Sequence, residues 1–165
     1  MSTEPIAPEL LHGWAIYLQA SEEARRRGDR RTGTDHLLLA LLGEPSVESL
    51  LGVSLDQARR ADESLDEEAL GALGMAVGAD APELSMRPVP KKPRFRDVAK
   101  KDRARLTPAA KRALEQASKG NKRRAYVTAE QVLSQILALQ PPDPAAVLLE
   151  ALGVDAAEVR RRLED

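Results

Sequence analysis

Few side chains in this sequence have the type and spacing that chemistry requires. Cysteine is absent, which excludes thiolate nucleophiles, disulfides and Cys-based zinc or iron–sulfur sites. The only histidines are His12 and His36, and two histidines without carboxylates at ligand spacing do not make a metal site. No Ser-His-Asp grouping, metal-ligand motif or Gly-rich phosphate loop stands in the sequence, so the expectation is a protein that is no enzyme and has no metal and no cofactor. Two carboxylates remain conspicuous by position. Asp35, in Thr34-Asp35-His36, and Glu130, in Thr128-Ala129-Glu130-Gln131, each fall in the first turn of an expected helix. A carboxylate there interacts favourably with the helix dipole, by about 0.3–1 kcal/mol. His36 reads as a packed or capping histidine, Trp14 and Tyr17 as core, and the arginines from Arg25 to Arg31 as a solvated helix end.

The other charged feature is a basic run: Lys91, Lys92, Arg94, Arg96, Lys100, Lys101, Arg103 and Arg105, interrupted by Asp97 and Asp102. Residues 56–83 are by contrast acidic, with Asp56, Asp62, Glu63, Asp66, Glu67, Glu68, Asp80 and Glu83. The basic run has three readings: a solubilising linker, an intramolecular partner for the acidic stretch, or a site for nucleic-acid phosphates. Phe95 is its sole aromatic residue, and no helix-turn-helix or zinc finger surrounds it. The net charge of −1 gives no global field to attract nucleic acid or an anionic membrane.

The elements that must position these groups are helices. Apolar residues make up 42% of the chain but aromatics only 2%, so the core is aliphatic, and its Leu and Ala favour helix over strand. The expected class is all-α. Leu10, Leu11, Trp14, Tyr17, Leu18 and Ala24 have helical spacing, ended by Gly28. Thr34 reads as the N-cap of a second helix with a stripe of Leu37, Leu38, Leu41 and Leu42. A short helix over residues 46–51 follows, then a Ser54–Gln57 capping box, then one more short helix over residues 64–73. After residue 106, Thr107-Pro108 opens a helix, Thr128–Gln131 is another capping box, Asp143-Pro144 starts a third helix and Asp155 a fourth. The first residues lack a basic n-region, and no apolar run approaches the ~20 residues of a membrane span, so a soluble cytoplasmic protein without membrane contact is expected.

The two halves can be laid over one another. Arg31-Thr32-Gly33-Thr34-Asp35-His36-Leu37-Leu38 matches Tyr126-Val127-Thr128-Ala129-Glu130-Gln131-Val132-Leu133, and Leu51-Gly52-Val53-Ser54 matches Leu152-Gly153-Val154-Asp155. Internal duplication is therefore expected, with residues 1–78 as the first helical repeat, residues 79–105 as a Pro-rich basic linker, and residues 106–165 as a second, degenerate repeat. Each copy alone is too small to bury its apolar faces well.

Glu22-Glu23-Ala24, Gly28, and the run from Gly33-Thr34-Asp35-His36 through Leu41-Leu42 resemble the first repeat of the N-terminal domain of Clp-type AAA+ unfoldases. Leu106-Thr107-Pro108-Ala109-Ala110-Lys111 resembles the start of that family's second repeat, and Leu152-Gly153-Val154-Asp155 the step before its last helix. The resemblance covers nearly the whole chain apart from the linker, and no phosphate loop of an ATPase accompanies it. It implies two tandem four-helix Clp-N-type repeats about a pseudo-twofold axis. It also implies a protein- or peptide-binding module whose partners are a Clp-type unfoldase, its adaptors or its marked substrates. In some members the acid of the Gly-Thr-Glu-His motif sits in a phosphoarginine pocket; the matching residues are Asp35 and Glu130, with Thr34 from the same motif and Thr107 as the family threonine that opens the first helix of the second repeat. Asp35 is one methylene shorter than the family's Glu, and the second copy keeps the acid without the Gly, Thr and His. The alternative function is a nucleic-acid-binding regulator that uses Lys91, Lys92, Arg94 and Arg96.

Overall fold

The computed structural model describes residues 10–74, 105–119, 121 and 126–164. In chain order the elements are β1 (Leu10–His12), α1 (Gly13–Arg27), β2 (Arg31–Thr32), α2 (Thr34–Leu41), α3 (Pro45–Leu51), α4 (Leu55–Ala72), β3 (Arg105–Leu106), α5 (Pro108–Ser118), β4 (Tyr126–Thr128), α6 (Ala129–Leu137), α7 (Pro144–Ala151) and α8 (Ala156–Glu164). The order strand, helix, strand, helix, helix, helix thus occurs twice. The protein is mostly helical, as its composition requires.

The caps form where short-range sequence dictates. Ser54 Oγ accepts from the Gln57 backbone N–H while Gln57 Oε1 accepts from the Ser54 N–H, completing a capping box. Thr128 and Gln131 repeat it at α6. Thr107 caps α5, with Pro108 at the first helical position, and Asp143 caps α7, with Pro144 there. Gly52 and Gly153 close α3 and α7 with positive φ of 67° and 69°, the left-handed turn that a side chain disfavours.

Two expectations need correction. Residues 55–72 form one unbroken helix, α4, so there is no separate short helix over 64–73: no proline or glycine interrupts the chain before Gly71, and Ser64 lies mid-helix. Thr34 is not an N-cap. Gly33 takes that place with extended backbone, and Thr34 is the first helical residue. The mostly helical structure is consistent with the all-α expectation, and four short strands join the helices among the described residues. β1 pairs with β4 antiparallel (Leu10 opposite Thr128), and β2 pairs with β3 in parallel (Arg31 opposite Arg105). In both pairs a strand that precedes the first helix of one half meets the strand that precedes the second helix of the other. The backbone groups that leave one half are therefore satisfied by the other half.

The core lies between the halves. All of α2 is buried, and Leu37, Leu38, Leu41 and Leu42 meet Val132, Leu133, Ile136 and Leu137 of α6 and Leu148 and Leu149 of α7 in one apolar cluster. The sequence stripe marked one face of α2, but its neighbours α1, α6 and α7 close around it, so even Leu39 and Ala40 are buried. Trp14 and Tyr17 are half-buried, with ring centroids 5.0 Å apart. Among the described residues no helix is long and apolar enough to cross a membrane. Most of the linker over residues 79–105, including Lys91, Lys92, Arg94 and Arg96, lies outside the described residues; Arg105 begins β3.

Candidate functional site

Asp35 lies in the first turn of α2 and is 4% exposed. Its position depends on Gly33. A Cβ on Gly33 would stand 2.3 Å from Asp35 Oδ1, so a side chain there would push the carboxylate from its place over the helix N-terminus. His36, the N3 residue of the helix, supplies the missing half of the cap: the Gly33 N–H donates to His36 Nδ1 at 3.0 Å. The same nitrogen is 3.1 Å from Asp35 Oδ1. The two contacts compete, because neutral Nδ1 accepts from Gly33 and protonated Nδ1 donates to Asp35. On the other side of the ring, Nε2 is 3.0 Å from Asp29 Oδ2 but out of line for a hydrogen bond.

Arg27, at the end of α1, completes the group. Its side chain is only 24% exposed, and its guanidinium reaches four carboxylates. Nε is 2.8 Å from Asp29 Oδ2 and 3.3 Å from Asp66 Oδ2, while Nη1 is 3.3 Å from Asp35 Oδ2 and donates to Asp62 Oδ2. Arg27 is therefore a half-buried tie between α1, α2 and α4, and the reading of a wholly solvated helix end fails there. Its partner Asp62 lies 35 positions away, beyond the reach of local pattern. Next to this cluster Arg59 of α4 grips Glu23 of α1 through both Nε and Nη2, and a cleft of about 80 Å³ separates the two pairs. Asp62 and Asp66 of α4 thus have their cationic partner, Arg27, in α1.

Titration follows from this geometry. Burial opposes the charged Arg27, but the Asp62 hydrogen bond and the charges of Asp62, Asp35 and Asp29 outweigh it and raise its pKa. Burial would raise Asp35; the hydrogen bond and charge of His36, with Arg27 behind, bring it below the ordinary carboxylate value. Burial would lower His36, yet the Asp35 hydrogen bond and charge raise it. Burial raises Asp62, and the bond to Arg27 offsets this only in part because Asp35 and Asp66 repel the charge.

The corresponding turn of α6 is built differently. Gln131 caps as His36 does, with Oε1 3.0 Å from the Thr128 N–H, and its amide also pairs with Asn121. Glu130 is exposed on the rim of a groove of about 470 Å³. Its other lining residues include Gln116, Lys119, Ser134, Gln135, Leu163 and Glu164. Laying Leu152-Gly153 over Leu51-Gly52 sets Leu163 at the place of Asp62, so α8 brings a leucine where α4 brings a carboxylate.

The structure brings two of the four sequence-derived site residues, Thr34 and Asp35, together at one helix start. The Thr34 hydroxyl donates to Asp143 Oδ1 at 2.6 Å and accepts from the Ala145 N–H, joining the starts of α2 and α7. Thr107 caps α5, and its N–H donates to the Thr32 carbonyl at 2.9 Å. Glu130 belongs to the separate groove. Sequence reasoning missed Arg27, Asp29 and Asp62; the pairing of one Gly-flanked arginine with spaced acids on another helix was its only trace. Among the described residues no group of three or more His, Cys, Asp or Glu could hold a metal ion. No protein-family model matches the chain, and a search of curated proteins finds no relative.

Proposed function

We propose that the chain is a non-enzymatic protein- or peptide-binding module related to the N-domains of Clp-type unfoldases, built as two Clp-N-type repeats about a pseudo-twofold axis. Its partner would be such an unfoldase, an adaptor or a marked substrate. The observation that carries the reading is the twice-repeated order of elements with crosswise strand pairing, which agrees with the duplication and with the Gly33–Leu42 run of the sequence. The mechanism is occupancy without chemistry: the module acts as a decoy for ligands of the unfoldase or delivers cargo to it.

The two motif acids divide the work. Asp35 already holds a guanidinium, that of Arg27, and has no free face for a second. Glu130 is open, so a cationic group of an incoming peptide, or a phosphoarginine, is expected in the groove beside it, where a carboxylate pairs with a guanidinium by charge-assisted hydrogen bonds. The test is calorimetric titration of the full chain with a purified Clp-type unfoldase, with its adaptor, and with phosphoarginine-bearing peptide. Binding that is lost in Glu130→Gln and kept in Asp35→Asn supports the reading. No heat with any of the three sinks it.

A further inference from the structure

β2 belongs to the first half and β3 to the second, and their short parallel ladder sets Arg31 opposite Arg105 and Thr32 opposite Leu106. Facing residues of paired strands stand about 5 Å apart, with their side chains on the same side of the ladder. Thr32 is buried and Leu106 packs against the core, so the pleat turns Arg31 and Arg105 outwards, and both are exposed. Two permanent positive charges thus meet across the seam between the halves. Arg25, Arg27, Arg59, Arg161 and Arg162 all have carboxylate partners, whereas Arg31 and Arg105 have none among the described residues. Like charges directly opposite one another work against strand pairing. The fold does not require them: Arg31 matches Tyr126 in the duplicated sequence, and the ladder of β4 with β1 sets Tyr126 opposite His12.

We infer that Arg31 and Arg105 form a clamp for a phosphate monoester, held across the seam. Each guanidinium presents a planar fork of donors that fits oxyanion oxygens in pairs. A carboxylate carries one charge and two oxygens, which a single fork satisfies. A phosphodiester also carries one charge. A phosphate monoester at neutral pH carries close to two charges and has three acceptor oxygens, so it serves both forks and cancels both charges. The bound group bridges β2 and β3, so it ties the two halves together as it is recognised. The clamp is separate from the groove at Glu130 and does not depend on the binding-module reading. Small phosphate esters and phosphorylated side chains share this chemistry.

The test is a titration of the isotope-labelled full chain, followed by NMR at the backbone amides of Thr32 and Leu106. The probes are phenyl phosphate, a capped phosphoserine, dimethyl phosphate and acetate. The two monoesters should shift those amides saturably, and the diester and acetate should bind at least about tenfold more weakly. Arg31→Gln and Arg105→Gln should each weaken monoester binding at least about tenfold. Binding should also fall as pH drops through about 6, where the monoester takes up a proton. Without ligand the double variant Arg31→Gln, Arg105→Gln should melt no lower than the parent, because a repulsive contact is gone. Phenyl phosphate should raise the melting midpoint of the parent and leave that of the double variant unchanged. Tighter binding of phosphoserine than of phenyl phosphate assigns the source to a phosphorylated protein, and the reverse to a small ester; either supports the clamp. Acetate or dimethyl phosphate binding as tightly as the monoesters overturns the inference. So do shifts that survive in the double variant, the absence of a saturable shift in the parent, or a ligand-free double variant that melts below the parent.

Discussion

The first turns of α2 and α6 start from matching sequence and end in opposite states. Both carry an acid at the second helical position, and both carry an N3 side chain that accepts from the N-cap N–H: His36 in one, Gln131 in the other. Yet Asp35 is buried against Arg27 and His36, while Glu130 stands on an open groove. The difference comes from the neighbouring helices. α1 and α4 bring Arg27 and Asp62 to the first turn of α2, and α8 brings Leu163 to the side of Glu130. Two turns of matching sequence thus become a structural tie in one half and a surface in the other.

The comparison breaks most visibly at Arg27. Arg27→Ala leaves Asp35 and Asp62 without their cation and should cost about 3–5 kcal/mol in urea unfolding. The variant should regain part of that in low-millimolar guanidinium, which refills the site, and the parent should not. A loss below about 1 kcal/mol would reduce the cluster to a surface ion pair. Gly33→Ala comes next. The methyl group must displace the Asp35 carboxylate, at about 1–3 kcal/mol, measured the same way. Thr128→Ala, at the matching place, should lose only its cap, about 1 kcal/mol.

His36→Gln gives α2 the cap of α6 and sharpens the comparison through pH. His36 has its folded pKa raised above 6.5, so its stabilisation is fully present below about pH 6.5 and is lost as pH rises through the folded value. The urea midpoint of the parent should therefore fall across that rise, and His36→Gln should remove the slope while keeping the helix. An unchanged slope would assign it to another group. The smallest effect is at Glu130. Glu130→Gln should alter stability by no more than about 0.5 kcal/mol, in contrast to Asp35→Asn, because no buried cation depends on it.

Much of this was legible in the sequence. The boxes at Ser54–Gln57 and Thr128–Gln131 and the caps at Thr107 and Asp143 form between residues two or three positions apart, so order in the chain is already order in space. His36 was readable as a capping residue for the same reason. The acidic turns of α4 carry a weak apolar pattern that divides it into two helices on sequence grounds alone, and Thr34, which has the chemistry of a cap, stands one position inside α2. Its hydroxyl is instead used by Asp143, 109 residues away.

The sequence by itself determined the helical class, the caps and the duplicated order, all set by propensities and by hydrogen bonds that span a single turn. The tertiary structure decided which acid is buried, which arginine holds it, and how β1 and β3 cross to the opposite halves. Those outcomes depend on groups brought together from distant parts of the chain, where burial strengthens every charge contact: Arg27 of α1 and Asp62 of α4 close an ion cluster over Asp35, whereas Leu163 of α8 lines the open groove at Glu130.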